Sequence, residues 1–169
     1  MAEIISRERL QPSLLDRLTD NARETRRESF DQQTLTFPQL RQAVLRDLAW
    51  LLNTTNLATT DHLTGVPFAV KSTINYGVPG IAGQVDTSQR LKSIESGIVA
   101  AIRAFEPRIK PETLTVRLRE SRSDRVTPTI TFEIEGELWA QPVPEQLFLE
   151  TSIELETRLA VVTDARARG

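Results

Sequence analysis

The chain has 169 residues, of which 39% are hydrophobic and 26% charged, a composition typical of one globular domain with a buried core. Its 21 basic and 23 acidic side chains give a net charge of −2, so we expect no affinity for nucleic acid. The chain has no cysteine, which excludes disulfides and zinc–thiolate sites. No apolar run approaches the roughly 18 residues that cross a bilayer. Because the first residues also lack the features of a secretory signal, we expect a cytoplasmic protein with no direct membrane insertion.

Residues 1–34 combine a short apolar helix with a polar stretch. The helix can begin at Pro12 or Ser13. Its narrow apolar edge consists of Leu14, Leu15 and Leu18. Residues 20–31 are almost wholly polar, which is typical of a solvated linker. Two interpretations stay open: a docking helix on a flexible linker, or an N-terminal helix that packs on its own domain.

A longer helix is predicted from Thr36 to Asn53. The run Thr36-Phe37-Pro38-Gln39 has the form of a capping box with proline in the first turn. The buried face that follows consists of Leu40, Val44, Leu48, Leu51 and Leu52. Arg46 and Asp47 lie off this face. Trp50 lies at its border, where it can be a core residue or a partly exposed anchor, and of the two we expect the core.

Residues 54–86 are rich in glycine and proline and lack sustained periodicity. His62 is the only histidine, and without a second histidine or a cysteine a metal site would need carboxylates alone. We therefore expect His62 on the surface and no metal site. No Gly-Lys-Ser/Thr follows the glycines, so no phosphate loop and no cofactor are predicted.

The strongest amphipathic pattern lies in the stretch 89–108. Its apolar stripe consists of Leu91, Ile94, Ile98, Ile102 and Phe105. Asp86, Thr87 and Ser88 are good N-cap residues just upstream. Pro107 disfavours helical geometry at Glu106, so the helix should end at Phe105 or Glu106. Glu106 and Arg108 then lie at the helix end with only Pro107 between them.

Three segments after this helix alternate between apolar and polar residues, as half-buried antiparallel strands do. They are centred on Leu114–Leu118, Ile130–Glu135 and Leu149–Glu156. The basic outer face of the first strand can pair with the acidic faces of the others. The pattern predicts an α+β fold, with N-terminal helices and the central amphipathic helix packed on a small antiparallel sheet of about three strands. We divide the chain into an N-terminal docking helix with its polar linker, residues 1–34, a single domain, residues 35–162, and a loose tail, residues 163–169.

Several segments resemble the TssE family, the baseplate subunits of type VI secretion systems and relatives of the tailed-phage baseplate wedge proteins once labelled lysozyme-like. The matching segments are Pro12–Leu18, Arg46–Asn53, Ser72–Pro79, Ile102–Arg108 and Phe132–Gly136 with its downstream strand. They occur in the family's order and extend from residue 12 to about residue 156. The tail after Leu155 carries no recognised motif.

The resemblance implies a structural component of a contractile injection machine. Such a subunit lies in the wedge of a six-fold, hetero-oligomeric baseplate beside TssF, TssG and TssK, and close to the first sheath ring. Its small sheet would resemble the interlocking domain of the sheath subunits, in which strands of neighbouring chains complete one another's sheets. The unpaired N–H and C=O groups of an exposed sheet edge are suited to that contact.

The lysozyme label defines the alternative function, a glycoside hydrolase acting on peptidoglycan. A glycosidase needs two carboxyl groups that flank the scissile bond, one of them protonated. Glu106 is the obvious acid, but Arg108 and Arg103 favour its ionised form. No second acid stands out in the sequence, although folding can bring one in. We therefore predict that the chain is not an enzyme and has no catalytic residue.

Two interpretations of the Glu106-Pro107-Arg108 turn stay open. In the first, Glu106 and Arg108 pair within the domain and Arg108 caps the last carbonyls of the helix. In the second, which the family resemblance favours, the turn binds baseplate partners. The predicted partner-binding residues are accordingly Glu106, Pro107, Arg108, Leu14, Leu15 and Leu18.

Overall fold

The computed structural model describes residues 12–19, 35–80, 88–119, 129–139, 145–154, 157 and 159–165. The helices are α1 (Leu14–Leu18), α2 (Phe37–Leu52), α3 (Pro67–Val70) and α4 (Ser88–Phe105), with 3₁₀ turns at Leu57–Thr59 and Thr73–Asn75. The strands are β1 (Thr115–Arg119), β2 (Thr129–Leu138), β3 (Glu145–Glu154) and β4 (Ala160–Asp164). The predicted α+β class is confirmed.

The four strands form one antiparallel sheet in the order β1-β2-β3-β4. Buried and half-buried residues alternate along the whole of β2 and most of β3, so one face of the sheet is directed into the core. The fourth strand was missed in the sequence. Its run Ala160-Val161-Val162-Thr163-Asp164 has no strict alternation, because only Ala160 is fully buried in this edge strand.

Helices α2 and α4 contact each other, and they pack against β4 and β1 respectively. The predicted face of α2 is buried throughout. On α4, Ile98 and Ile102 are buried, and Leu91, Ile94 and Phe105 are partly buried against the same core. At the start of α2 the Gln39 side chain accepts the Thr36 N–H at 2.8 Å, one half of the predicted capping box. The helix α4 ends at Phe105, one of the two predicted positions.

The outer face of the sheet carries the predicted cross-strand charge pairing. Arg119 on β1 lies 3.5 Å from Glu133 on β2 and 3.2 Å from Glu150 on β3. The Arg119 side chain is 58% exposed, so these pairs contribute at most about 1 kcal/mol each.

The connection between α2 and α4 is anchored at Gly77. Its φ of +124° is rare for other residues, and a Cβ there would lie 2.3 Å from the carbonyl oxygen of Thr54. The close approach allows the Val78 N–H to bond to that carbonyl at 2.8 Å. His62 lies on the surface, as expected.

Several of the predicted features lie partly or wholly outside the described residues. The polar linker at residues 20–34 and the predicted cap residues Asp86 and Thr87 lie outside them. The predicted loose tail begins within β4, where Thr163 and Asp164 pair with β3, and residues 166–169 lie outside the described chain. In the part that the structure describes, none of the helices has the length and apolar character of a membrane span.

Candidate functional site

The end of α4 carries a buried carboxylate with a bidentate arginine partner. Glu106 is 3% exposed, and its Oε1 accepts the Arg108 Nε–H at 2.7 Å while its Oε2 accepts the Nη2–H at 2.5 Å. Oε1 also accepts the backbone N–H of Arg108 at 3.1 Å. Pro107 between them fixes φ and has no N–H of its own, so the turn offers both groups to the same carboxylate.

Folding adds a second carboxylate, Asp47, from the facing helix α2. Its Oδ2 accepts the Arg108 Nη2–H at 2.5 Å, so one guanidinium nitrogen bonds to Asp47 and Glu106 together. The side chains of Arg108 and Asp47 are 22% and 23% exposed. The end of α4 is thereby tied to the middle of α2.

The ion pairs continue from Asp47 to the N-terminal helix. Arg46 Nε donates to Asp47 Oδ1 at 2.8 Å, and Arg46 Nη1 donates to Asp16 Oδ1 at 2.6 Å. Ser13, the N-cap residue of α1, donates its hydroxyl to Asp16 Oδ2 at 2.6 Å. We call the chain of ion pairs Glu106–Arg108–Asp47–Arg46–Asp16 the relay.

A pocket of about 200 Å³ opens beside the relay. It is lined by Leu15, Asp47, Trp50, Leu51, Tyr76, Phe105, Glu106 and Arg108. Tyr76 and Phe105 meet edge to face in its wall, with ring centroids 5.2 Å apart. The guanidinium of Arg46 lies 5.0 Å from the centre of the Trp50 ring, a cation–π contact at the rim. Trp50 is 50% exposed, so its predicted place in the core is wrong.

The pKa shifts follow from this geometry. Burial alone would lower the pKa of Arg108, but the hydrogen bonds and charges of Glu106 and Asp47 raise it above its usual value. The hydrogen bond from Arg46 lowers the pKa of Asp16, and the reciprocal bond raises the pKa of Arg46. Burial, followed by the charges of Asp47 and Glu106, raises the pKa of Tyr76. Arg108, Arg46 and Asp16 are therefore charged at neutral pH.

The structure brings four of the predicted partner-binding residues together. Glu106, Pro107 and Arg108 form one turn, and Leu15 lines the same pocket as Glu106 and Arg108. Leu14 and Leu18 lie on α1 outside the pocket and are 71% and 73% exposed. Of the two interpretations of the turn, the pairing within the domain is present, although among the described contacts the Arg108 side chain bonds carboxylates rather than the helix carbonyls. The part of these residues in partner binding stays a prediction.

Sequence reasoning missed Asp47, Arg46 and Asp16. Asp47 lies three residues after Val44 and four before Leu51, so it projects beside the buried face of α2. A charged residue beside a buried face needs a partner of opposite charge or a hydrogen bond. This requirement was the signal in the sequence that could have identified Asp47 as part of the site. Its partner, Arg108, is 61 positions away in the sequence, a separation that no local pattern connects.

The two carboxylates invite comparison with a glycosidase site. Glu106 Oε2 and Asp47 Oδ2 each lie 2.5 Å from Arg108 Nη2, so they are no more than twice that distance apart. That separation resembles the carboxylate pair of a retaining enzyme, about 5–5.5 Å. However, the Arg108 guanidinium fills the space between them, where a scissile bond would have to lie. Among the described residues no group of three or more histidine or acidic side chains could hold a metal ion.

Comparison with known proteins gives one family match. A family model described as baseplate wedge protein gp25 matches residues 38–143, more than half of the chain. The match includes Arg46, Asp47, Glu106 and Arg108, and it leaves out α1, β3 and β4. No curated protein and no solved structure matches the chain.

Proposed function

Since this chain belongs to the family of the baseplate wedge protein gp25, we propose that it is the TssE subunit of a type VI secretion baseplate. Membership of the family gives it a structural role in the baseplate of a contractile injection machine. The finer assignment rests on the ordered TssE-like segments, which begin at Pro12, well before the matched residues. In this role the chain acts in the cytoplasm and links wedge subunits to the first sheath ring. Its partners are TssF, TssG, TssK and the sheath subunits, within a six-fold assembly.

The proposed wedge-binding surface combines the leucine edge of α1 with the Glu106-Pro107-Arg108 turn. Leu14 and Leu18 lie one helical turn apart and are 71% and 73% exposed, more than any other leucine that the structure describes. Arg17 lies beside them and is exposed. The surface therefore fits a wedge subunit with an apolar cleft and an acidic rim. The buried Glu106 contributes to this surface indirectly, because its carboxylate holds the Arg108 side chain in place.

We assign the sheath contact to the outer edge of β1, which pairs with no further strand among the described residues. On β2, the Glu137 N–H donates to Thr113 Oγ1 and the Glu137 C=O accepts the Lys110 N–H, so the backbone groups of Glu137 are directed to the β1 side of the sheet. Because this direction alternates along a strand, the backbone groups of Glu135 and Glu133 are also directed toward β1. Arg117 lies opposite Glu133, so its N–H and C=O are directed toward β2 and bond to the backbone of Glu133. Leu118, next to Arg117, consequently points its N–H and C=O away from the sheet.

The opposite edge is less open. The Asn53 side chain accepts the Ala160 N–H at 2.9 Å and donates to its carbonyl at 2.8 Å. At the other end of β4, Asp164 pairs with Arg41 at 2.6 Å. The outward backbone groups of Val162, between them, have no partner among the described contacts. A sheath strand therefore has more room to pair with β1 than with β4.

A pair of proline variants tests this assignment. Leu118→Pro removes an outward N–H from β1 and should leave the sheet folded, because proline is tolerated where the N–H points away from the ladder. We expect it to abolish binding of the sheath subunit, measured by pull-down. Val162→Pro is the matched control on β4 and should still bind. If Val162→Pro blocks binding and Leu118→Pro does not, the sheath uses β4. If both bind, the sheath contact is not strand addition.

The wedge contact is tested by capture of TssF and TssG from a co-expression lysate at several salt concentrations. We expect co-purification at low salt that weakens as salt rises, because Arg17 and Arg108 contribute charge to the surface. Failure to capture either subunit at low salt would argue against the TssE assignment.

The alternative, peptidoglycan hydrolysis, is tested on purified cell wall. We expect no turnover, because Arg108 occupies the space between the two carboxylates and each accepts its hydrogen bonds. A muramidase signal in the wild type that disappears in both Glu106→Gln and Asp47→Asn would establish the enzyme instead.

A further inference from the structure

The short helix α1 is attached to the domain by its polar side. At about 100° per residue, Asp16 lies on the side of the helix opposite to Leu14 and Leu18. The Asp16 side chain is 18% exposed and bonds to Arg46, whereas Leu14 and Leu18 are 71% and 73% exposed. The helix thus turns its apolar edge outward, the reverse of the usual orientation of an amphipathic helix on its own domain.

The attachment of α1 depends on few contacts. The helix has five residues and none of them is buried. A helix this short is not stable alone, because the cost of nucleation exceeds the gain from one turn of hydrogen bonds. Among the described residues, its polar contact with the rest of the domain is the bond from Arg46 to Asp16, and Leu15 adds an apolar contact at the pocket.

Arg46 is placed to control this attachment. Its guanidinium bonds to Asp16 through Nη1 and to Asp47 through Nε, and it lies over the Trp50 ring. Asp47 in turn holds Arg108, so the same cation that fixes α1 is also joined to the turn at the end of α4. A planar guanidinium with donors on several sides can hold two carboxylates in this way, which the single ammonium of a lysine does less well.

We propose that Arg46 is a positioning residue, which sets α1 against the domain so that the leucine edge and the Glu106-Pro107-Arg108 turn form one docking surface. This role rests on the proposed function. The partner is a wedge subunit whose apolar cleft receives Leu14 and Leu18 while its rim contacts the turn. Without Arg46 the two patches are still present, but α1 is no longer held beside the turn, and the partner must order it at the cost of affinity.

The positioning itself is tested on the free chain by NMR. In the wild type we expect helical Cα chemical shifts and restricted motion at residues 14–18. In Asp16→Asn and Arg46→Gln we expect these shifts to move to random-coil values, with no further change in the double variant because both remove the same bond. Asp61→Asn and Lys71→Gln, which remove equal charges at exposed positions, should leave α1 unchanged.

Thermal unfolding separates this role from a general loss of stability. Because no residue of α1 is buried, Asp16→Asn should unfold within about 2 °C of the wild type. Helical shifts that persist in both Asp16→Asn and Arg46→Gln, or random-coil shifts in the wild type, would overturn the proposal. So would effects of the two substitutions that simply add.

Binding to the TssF–TssG pair tests whether the position of α1 affects docking. It also distinguishes a failure of the role of Arg46 from a failure of the proposed function. If the wild type binds, we expect Asp16→Asn and Arg46→Gln to bind about tenfold more weakly, as when only a tenth of the free molecules hold α1 in place. Asp61→Asn and Lys71→Gln should bind as the wild type does. Equal binding by Asp16→Asn with α1 released would contradict the role of Arg46 and leave the proposed function intact. If the wild type itself does not bind, the proposed function fails, and the NMR result still decides whether Arg46 positions α1.

Discussion

Replacement of Glu106 by glutamine should destabilise the domain, although the change keeps the size of the side chain. Glu106 is 3% exposed and makes a bidentate pair with Arg108, whose side chain is 22% exposed. Loss of one member of a buried pair typically costs about 3–5 kcal/mol, since the other charge stays buried without its partner. Arg108 keeps Asp47 and some contact with water, so we expect the lower end, about 3 kcal/mol. For a chain of this length that corresponds to a fall of roughly 6–12 °C in Tm.

Thermal and urea unfolding followed by circular dichroism measure this change. Glu112→Gln is the matched control, because Glu112 is exposed and the same substitution there should alter stability by less than about 0.5 kcal/mol. If Glu106→Gln unfolds within 2 °C of the wild type, the pair contributes little to the fold and the reasoning from burial is wrong.

Three further predictions concern stability and pH. Thr151→Val should stabilise the domain by about 1–2 kcal/mol in urea unfolding, because the buried Thr151 hydroxyl has no hydrogen-bond partner among the described residues; no gain would mean that a water satisfies it. Gly77→Ala should destabilise by about 3 kcal/mol, because its φ is +124° and the added Cβ would lie 2.3 Å from the Thr54 carbonyl oxygen; an unchanged Tm would contradict that geometry. Because the bond from Arg46 lowers the pKa of Asp16, the contribution of this pair is complete above the ordinary value of 3.8 and is lost only as the pH falls through the lower folded value. The NMR signals of α1 should therefore be constant from pH 5 to 8, and a transition within that range would refute this.

Most of the fold could be predicted from patterns of burial. The buried face of α2 and the stripe of α4 were predicted because both helices bury one side against the sheet, which imposes a helical period on the sequence. β2 and β3 were recognised for the corresponding reason, since each has one face in the core. β4 was not, because an edge strand with one fully buried residue carries no clear alternation.

The site was predictable only in part. Pro107 marked the end of α4 and singled out Glu106 and Arg108, since proline acts locally on the backbone. The contribution of Asp47 and Asp16 depends on packing between helices, which a single sequence does not encode in any local spacing. The same limit explains the error at Trp50, whose ring lies at the surface beside the Arg46 guanidinium rather than in the core.

The central claim is that the chain joins a baseplate through the leucine edge of α1 and the neighbouring turn. Co-expression with TssF and TssG, followed by size-exclusion chromatography and mass determination, tests it most directly. We expect the wild-type chain to elute in one complex with both subunits, and the double variant Leu14→Glu, Leu18→Glu to elute alone while its Tm is unchanged, because both leucines are exposed. Phe68→Glu, a control at an apolar side chain that is 92% exposed on another segment, should stay in the complex. A wild-type chain that elutes alone, or a leucine variant that assembles as well as the wild type, would contradict the account.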